Sequence, residues 1–458
     1  MIAGDRAKED NARMKFNLRL KPIKPAAMAA ASVGADEFAA AMESFAPFPA
    51  RIALAVSGGP DSMALAFCLK RWCDQKNADI TIAAFIVDHN LRAASAAEAV
   101  QTQKTLAHIG IEAEILRWRH SPHVTRLHET ARKARFGLLV ETCRRHGMAV
   151  LLFAHHRDDQ AETILMRFAK GSGIDGLCGM RAQTVRDGIR ILRPFLSIPK
   201  ERLIATCRAA NLAFAHDPSN ASQKFARGRL RHIMPLLEAE GFSIDRLLDL
   251  AKRAQDAKTA LGHATSMLVR VATKIDDTGI ISIDLEHLRS SPRAIAERAL
   301  GICLQSIHPE DYASSHAALT TLTDALLADA DMATRTLHGC LIGKNGKRAF
   351  IMRECAAIED APAINPGETL VWDKRWHIAL STEAQDRFTI RPLGNPPHEI
   401  LDRLAPGLRK QIPQGRGRTT LPSLWLNDAL ALIPALPCCA YSSPAKASLA
   451  LFWPPADA

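Results

Sequence analysis

Ser57-Gly58-Gly59-Pro60-Asp61-Ser62 stands between an apolar run, Ile52-Ala53-Leu54-Ala55-Val56, and a helix-like run from Met63 to Trp72. The order is buried strand, glycine turn, helix N-terminus, which presents backbone N–H groups and the positive end of a helix dipole to an anion. Gly58 and Gly59 have no Cβ and tolerate positive φ, so the backbone can close on a phosphate group. Ser62 can cap the helix or donate its hydroxyl to a phosphate oxygen. The lysine and the spacing of a Walker A loop are missing. A Gly-Gly turn without a ligand is the plain alternative.

The pattern on either side fits a phosphate site. From about residue 48 to 240, strands alternate with helices. The apolar run Ile80–Val87 ends in Asp88-His89, and a helix-like segment from Ala96 to Ile109 leads to the strand Ala113–Leu116. A helix near Leu127 to His146 precedes the strand Val150–Ala154, which runs into His155 through Glu162. Nearly continuous apolar strands separated by helices predict an α/β domain built on a parallel sheet covered on both faces. Ligands of such sheets bind at the carboxyl ends of the strands. Three polar clusters fall there: Ser57 to Ser62, Asp88-His89, and His155 to Glu162.

Further along, the periodicity turns helical. Ile244 to Val269, Ala294 to Ile307 and Ser315 to Ala328 read as helices, the first with Arg246, Lys252, Arg253 and Lys258 interspersed. Pro362, Pro366 and Gly367 mark a linker. Beyond it, Trp372 to Ser381, Phe388 to Pro392 and Leu421 to Leu436 predict a small β-rich domain. The expected organisation is an extension over 1–44, partly disordered, a catalytic domain over 45–240, a helical domain over 241–358 and a C-terminal α+β domain over 368–458.

At 458 residues the chain exceeds a single ordinary core, and length alone suggests about three domains. Hydrophobic residues at 47% with 23% charged read as a globular protein, and no apolar stretch approaches the roughly 20 residues of a membrane helix. A formal charge of +11 favours a polyanionic partner. The ten cysteines are scattered without a C-x-x-C pair or metal-like spacing, and Cys438-Cys439 is poor geometry for a simple disulfide. Reduced thiols in the cytoplasm are the expectation. The first 24 residues carry Asp5, Glu9 and Asp10 and no apolar core, unlike a signal or transit peptide.

The loop itself resembles the SGGxDS signature of the PP-loop ATP pyrophosphatases. Further motifs narrow the resemblance: Val87-Asp88-His89-Asn90-Leu91-Arg92, Ala131-Arg132-Lys133-Ala134-Arg135-Phe136, and His155-His156-Arg157-Asp158-Asp159-Gln160-Ala161-Glu162-Thr163. After these come Gly171-Ser172-Gly173 through Gly179-Met180, Leu192-Arg193-Pro194-Phe195, and Asp217-Pro218-Ser219-Asn220. In this order, over about residues 50 to 235, they resemble the tRNA(Ile)-lysidine synthetases, and Ile390-Arg391-Pro392-Leu393-Gly394 echoes that family's C-terminal domain. One element departs: Arg227-Gly228-Arg229-Leu230-Arg231 has Gly228 where the family often has asparagine.

The resemblance implies a soluble, cytoplasmic ligase. It uses ATP to adenylate the C2 oxygen of the wobble cytidine in a tRNA(Ile) with a CAU anticodon, and free L-lysine then displaces AMP. On that reading Ser57, Gly58, Gly59, Pro60, Asp61 and Ser62 bind ATP, together with Asp88 and His155. Asp61 is the expected Mg²⁺ ligand, with a helix-capping aspartate as the alternative. Asp159 and Glu162, three apart on a helix, share a face and could hold the substrate lysine and help deprotonate its amine. Asp158 reads as the helix cap; the alternative is that all three acids only complement the helix dipole. Arg132 and Arg135 could offset charge in the adenylation step or form a solvated helix face. Lys224, Arg227, Arg229 and Arg231 form a basic strip expected to meet tRNA phosphates.

Rival functions ask for features of their own. A tRNA thiolase carrying a sulfur cluster usually needs paired cysteines, and a glutamine-dependent amidotransferase needs a nitrogen-releasing domain. A tRNA-binding protein without catalysis would not need Asp61, Asp159 and Glu162 together.

Overall fold

The structure, a computed structural model, describes residues 30–76, 80–88, 95–118, 127–215, 226–276, 278–309, 315–330, 332–404, 416–434 and 447–451. The chain divides into two compact units, Met1–Gln255 and Asp256–Ala458.

The first unit contains α1 (Ala35–Glu43), β1 (Arg51–Val56), α2 (Pro60–Lys76), β2 (Thr81–Asp88), α3 (Ser95–His108), β3 (Glu112–Arg117) and α4 (Leu127–Arg145). It continues with β4 (Val150–Leu152), α5 (Arg157–Ala169), α6 (Ile174–Leu177), β5 (Gln183–Arg186), β6 (Ile189–Leu192), α7 (Lys200–Ala209), α8 (Ala226–Ala239) and the first turns of the long helix α9 (Ile244–Ala272), whose remainder belongs to the second unit. One six-stranded sheet runs β3-β2-β1-β4-β6-β5, parallel throughout except for β5. Alternation along β1 splits the core. Ile52, Leu54 and Val56 pack with Met63 and Leu65 of α2, while Ala53 faces Leu139, Val140 and Cys143 of α4. Both sheet faces are therefore covered, as the continuous apolar strands required.

Strand order reverses between β1 and β4, which pair through Ala53↔Leu151 and Leu54↔Leu152. That switch point opens a crevice beyond the carboxyl ends of both strands. Ser57 to Ser62 follows one of them and His155 to Glu162 the other, so topology converts two distant motifs into neighbours.

Residues 33–45, assigned to the extension on sequence, belong to this core. Val33, Phe38, Met42 and Phe45 are buried, and Phe38 meets Phe195 edge-on with centroids 5.7 Å apart. Arg202 of α7 holds Glu37 through two hydrogen bonds of 2.8 and 2.7 Å.

The second unit has the expected helices at Arg293–Ile307 and His316–Leu327, and in addition a five-stranded antiparallel sheet. Its strands, in spatial order, are Thr273–Ile275, Ile281–Asp284, Arg348–Arg353, Cys340–Asn345 and Arg335–Leu337. They are three to six residues long, which leaves little alternation to read beside long amphipathic helices. Two smaller sheets follow, one of four strands and one of three. Phe388–Pro392 is a strand as predicted. The segment read as a linker is not free chain: Ala363–Ile364 pairs with Thr389 and Phe388, and Ile364 is fully buried.

Candidate active site

At the head of α2 the glycine turn is held from inside. Ser62 Oγ donates to Gly59 O (3.0 Å) and accepts from Ser57 N–H (3.2 Å), so its hydroxyl staples the turn. Gly58 takes φ +79°, and a Cβ there would come within 2.5 Å of Thr102 Oγ1. A side chain is excluded on both counts. Gly58 O accepts from Ala215 N–H (2.8 Å), and Pro60 O accepts from the Cys207 thiol (3.2 Å), which anchors the turn to the chain around α7.

Asp61 follows directly. Its Oδ2 lies 3.6 Å from His156 Nε2 and 3.7 Å from Lys200 Nζ, whereas Oδ1 is buried without a hydrogen-bond partner. Burial pushes the Asp61 carboxyl above its usual range, and the charges of His156 and Lys200 offset this only in part.

His156 is the N-cap of α5 and is 1% exposed. Its ring lies 3.4 Å from Asp158, 3.4 Å from Asp159 and 3.6 Å from Asp61. Burial alone would lower its pKa, but the three carboxylates prevail and raise it. Asp159, rather than Asp158, caps α5, its Oδ2 accepting from His156 N–H at 3.2 Å. Asp158 caps the neighbouring helix instead, accepting from Lys200 N–H at 3.0 Å. Burial opposes its ionisation, yet His156 and that N–H bring it down to about 2. Sequence spacing could not show this exchange, because Lys200 is far from Asp158 in the chain.

Glu162 is 3% exposed, and Arg231 grips it with Nε–Oε1 at 2.5 Å and Nη2–Oε2 at 3.3 Å. Arg227 lies 3.7 Å from Glu162 and 4.0 Å from Asp159. Burial pushes Asp159 up, but His156 and Arg227 hold it below the normal carboxylate range. Four carboxylates (Asp61, Asp158, Asp159, Glu162) thus face Lys200, Arg227, Arg231 and the His156 ring. Charges paired in this way cost less to bury than unpaired ones.

Two cavities of the first unit flank this wall. One of about 180 Å³ is polar at Ser57, Asp61, Asp159 and Arg227 and apolar at Phe85, Val87 and Phe153. Arg135 and His155 also line it. His155 stacks on Phe153 at 5.6 Å, and burial drives its pKa far down, so the ring is neutral. Its lining mixes polar groups fit for phosphate with flat apolar side chains fit for a base, although at this volume it would enclose only part of a nucleotide. The second cavity, of about 640 Å³, opens between α5 and α8 and is lined by Asp158, Glu162, Lys200, Arg231 and Glu238.

The sequence-predicted residues are not all brought together. Asp88 is buried and accepts from Ser95 Oγ (2.7 Å) at the start of α3; its neighbour Val87, not Asp88, lines the smaller cavity. Arg227 and Arg231, expected in a strip that meets tRNA phosphates, turn inward onto the carboxylates, while Arg229 of the same helix is exposed. Lys224 and the side chain of Arg132 lie outside the described residues. Lys200 went unnoticed on sequence. Its signal was a cation at the first position of a helix, where the dipole disfavours positive charge unless acids compensate.

A PP-loop domain model matches residues 35–237, the segment that carries every group above. A tRNA(Ile)-lysidine synthase of a Methylobacterium species (strain 4-46) is 38% identical over 309 residues, covering 66% of this chain and 89% of that protein. The chain belongs to the tRNA(Ile)-lysidine synthase family. A second relative of that name, from Anaplasma marginale, is 32% identical across 72% of this chain and 71% of its own. Among solved structures, the U34-tRNA thiolase NcsA of Methanococcus maripaludis is similar at TM-score 0.41 and 16% identity, over 48% of this chain and 78% of that one. Membership of the synthase family gives the carboxylate–arginine wall a reaction to serve.

Proposed function

We propose that this ligase transfers AMP from ATP to the C2 oxygen of the wobble cytidine in a tRNA(Ile) with a CAU anticodon, releasing pyrophosphate. Free L-lysine then displaces AMP to give lysidine. The observation that carries the reading is the stapled glycine turn opposite the His155–Glu162 segment at the sheet's switch point, within a synthase-family chain.

Adenylation makes the C2 oxygen a leaving group. The turn and the first N–H groups of α2 would receive the negative charge of the departing pyrophosphate. Arg135 and Arg227, both lining the smaller cavity, would add positive charge beside it. Mg²⁺ fits Asp61, whose buried Oδ1 has no hydrogen-bond partner, and Mg²⁺ commonly takes one or two carboxylates beside phosphates. Bound there, the ion would neutralise phosphate charge. The cavity between α5 and α8 would admit lysine, with Glu162 in its lining beside the amine, while Asp159 lines the smaller cavity on the other side of the wall. Because Arg231 already holds Glu162, the ammonium must share or displace that contact. Exposed Arg229, together with Lys224, would meet tRNA phosphates. No described helix is long and apolar enough to cross a membrane, and we place the reaction in the cytoplasm with its substrates.

Mass spectrometry of the wobble nucleoside after incubation with tRNA(Ile), ATP and lysine tests the proposal. Lysidine with one AMP and one pyrophosphate per turnover is expected. A sulfur-bearing nucleoside, or ATP cleavage without a lysine adduct, would overturn it.

A further inference from the structure

We propose that Phe168, at the outer end of α5, is a stacking platform for an unpaired base of the substrate RNA next to the nucleotide being modified. The proposal rests on the tRNA-modifying reading above and names a contact which that reading lacks.

Phe168 is 64% exposed, although only 5% of the chain is aromatic, whereas Phe136 and Phe153 stack on each other and Phe153 lines the smaller cavity. It occupies a defined place relative to the chemistry. Ala161 lines the larger cavity, and Leu165 and Phe168 follow it at i+4 and i+7, on the same face of α5. Phe168 lies about 10 Å further along the axis from Ala161, at 1.5 Å per residue. Lysine held in that cavity must reach the modified nucleotide, so a nucleotide adjoining the modified one falls within this reach.

The ring is also mounted on a rigid frame. Arg167, the residue before it, donates to Gly176 O (2.9 Å) and Gly179 O (2.7 Å), tying the 170–180 loop to the helix end. Gln160 completes the strap by exchanging hydrogen bonds of 2.7 and 2.6 Å with the backbone of Met180. Gly179 takes φ +69°, and a Cβ there would lie 2.7 Å from Gln160 Oε1, so the loop closes only with glycine. A loop fixed at both ends, next to an aromatic left in solvent, is pre-organised for a partner.

The partner's chemistry follows from the charge around the ring. Exposed Lys170 and Arg181 bracket the strap, Arg229 is exposed on α8, and the chain carries +11 overall. Exposed Ile174 extends the apolar surface within the same loop. An exposed aromatic on a surface that also carries exposed cations suits a base flanked by phosphates, because every base offers a π-face and loses little by stacking. An apolar protein partner would not use the cations.

The test places 2-aminopurine next to the wobble position of tRNA(Ile) and follows its fluorescence on binding the full-length enzyme. Quenching is expected with wild type and with Phe168→Trp, and its loss with Phe168→Ala. Phe168→Ala should raise the KM for tRNA about tenfold, in keeping with one stacked base, with the KM values for ATP and lysine unchanged. Phe168→Asp should be worse than Phe168→Ala because it repels phosphate. The exposed position predicts wild-type melting temperatures for all three variants. Unchanged quenching and tRNA KM in Phe168→Ala would overturn the proposal, and so would a rise in all three KM values together. Lysidine formation by the wild type, scored in the same assay, keeps failure of this contact distinct from failure of the proposed activity.

Discussion

Glu162→Gln separates the structural from the substrate-binding duty of one carboxylate. Glu162 is 3% exposed and neutralises Arg231 through two hydrogen bonds, with Arg227 at 3.7 Å. Breaking a fully buried ion pair costs roughly 3–5 kcal/mol. Arg231 is about a third exposed and keeps Asp159 at 3.7 Å, so the cost here falls to about 2 kcal/mol. That should lower the melting temperature of the first unit by about 5 °C. The same countercharge is lost to the substrate ammonium, which raises the half-saturating lysine concentration about 30-fold. Adenylated tRNA is trapped without lysine, then lysine is titrated and lysidine followed. The expected pattern is normal adenylation, a shifted lysine curve and a modest loss of stability. Normal stability with an unshifted lysine curve would refute the reasoning. Loss of adenylation with intact lysine dependence would move Glu162 to the nucleotide side of the wall.

Asp61→Ala should cut AMP formation at least a hundredfold while tRNA affinity stays within about twofold; wild-type AMP formation would remove Asp61 from the chemistry. Gly58→Ala forces an L side chain into φ +79° against Thr102 and should cost about 2–4 kcal/mol in urea denaturation. Adding Thr102→Ala should return the steric part of that loss, and full additivity of the two changes would argue against the contact. Asp158 has a folded pKa depressed to about 2, so its contribution to stability is complete above the unfolded value near 4 and is lost as pH falls toward 2. Discounted for a side chain 35% exposed, that contribution is about 1 kcal/mol. Asp158→Asn should flatten the acid limb of the stability profile by this amount, and an unchanged limb would contradict the pairing with His156 and Lys200. The raised pKa of His156 has the opposite sign: its stabilisation holds below its unfolded value and fades as pH rises through the folded one.

Local chemistry was legible in the sequence, because strands, a glycine turn and a helix start are written in neighbouring residues. The run from Ile52 to Ser62 was enough to specify β1, the turn and α2. Continuous apolar strands specified a sheet covered on both faces. Charge partners were not legible. Arg227 and Arg231 read as a strip for tRNA phosphates, since a sequence records which helix face a residue takes but not what that face packs against. Only the packing of α8 on α5 turned them onto Asp159 and Glu162. Lys200 likewise became part of the site because α7 brings its first residue to Asp61 and Asp158. The same limit explains the apparent linker at 362–367. Pro and Gly there suggested free chain, yet the second unit pairs Ala363–Ile364 into a sheet and buries Arg353 on Asp373, across that stretch. Proline and glycine report what the backbone can do at one place. Burial and countercharge depend on which distant segments meet, and that is fixed only when the whole chain has folded.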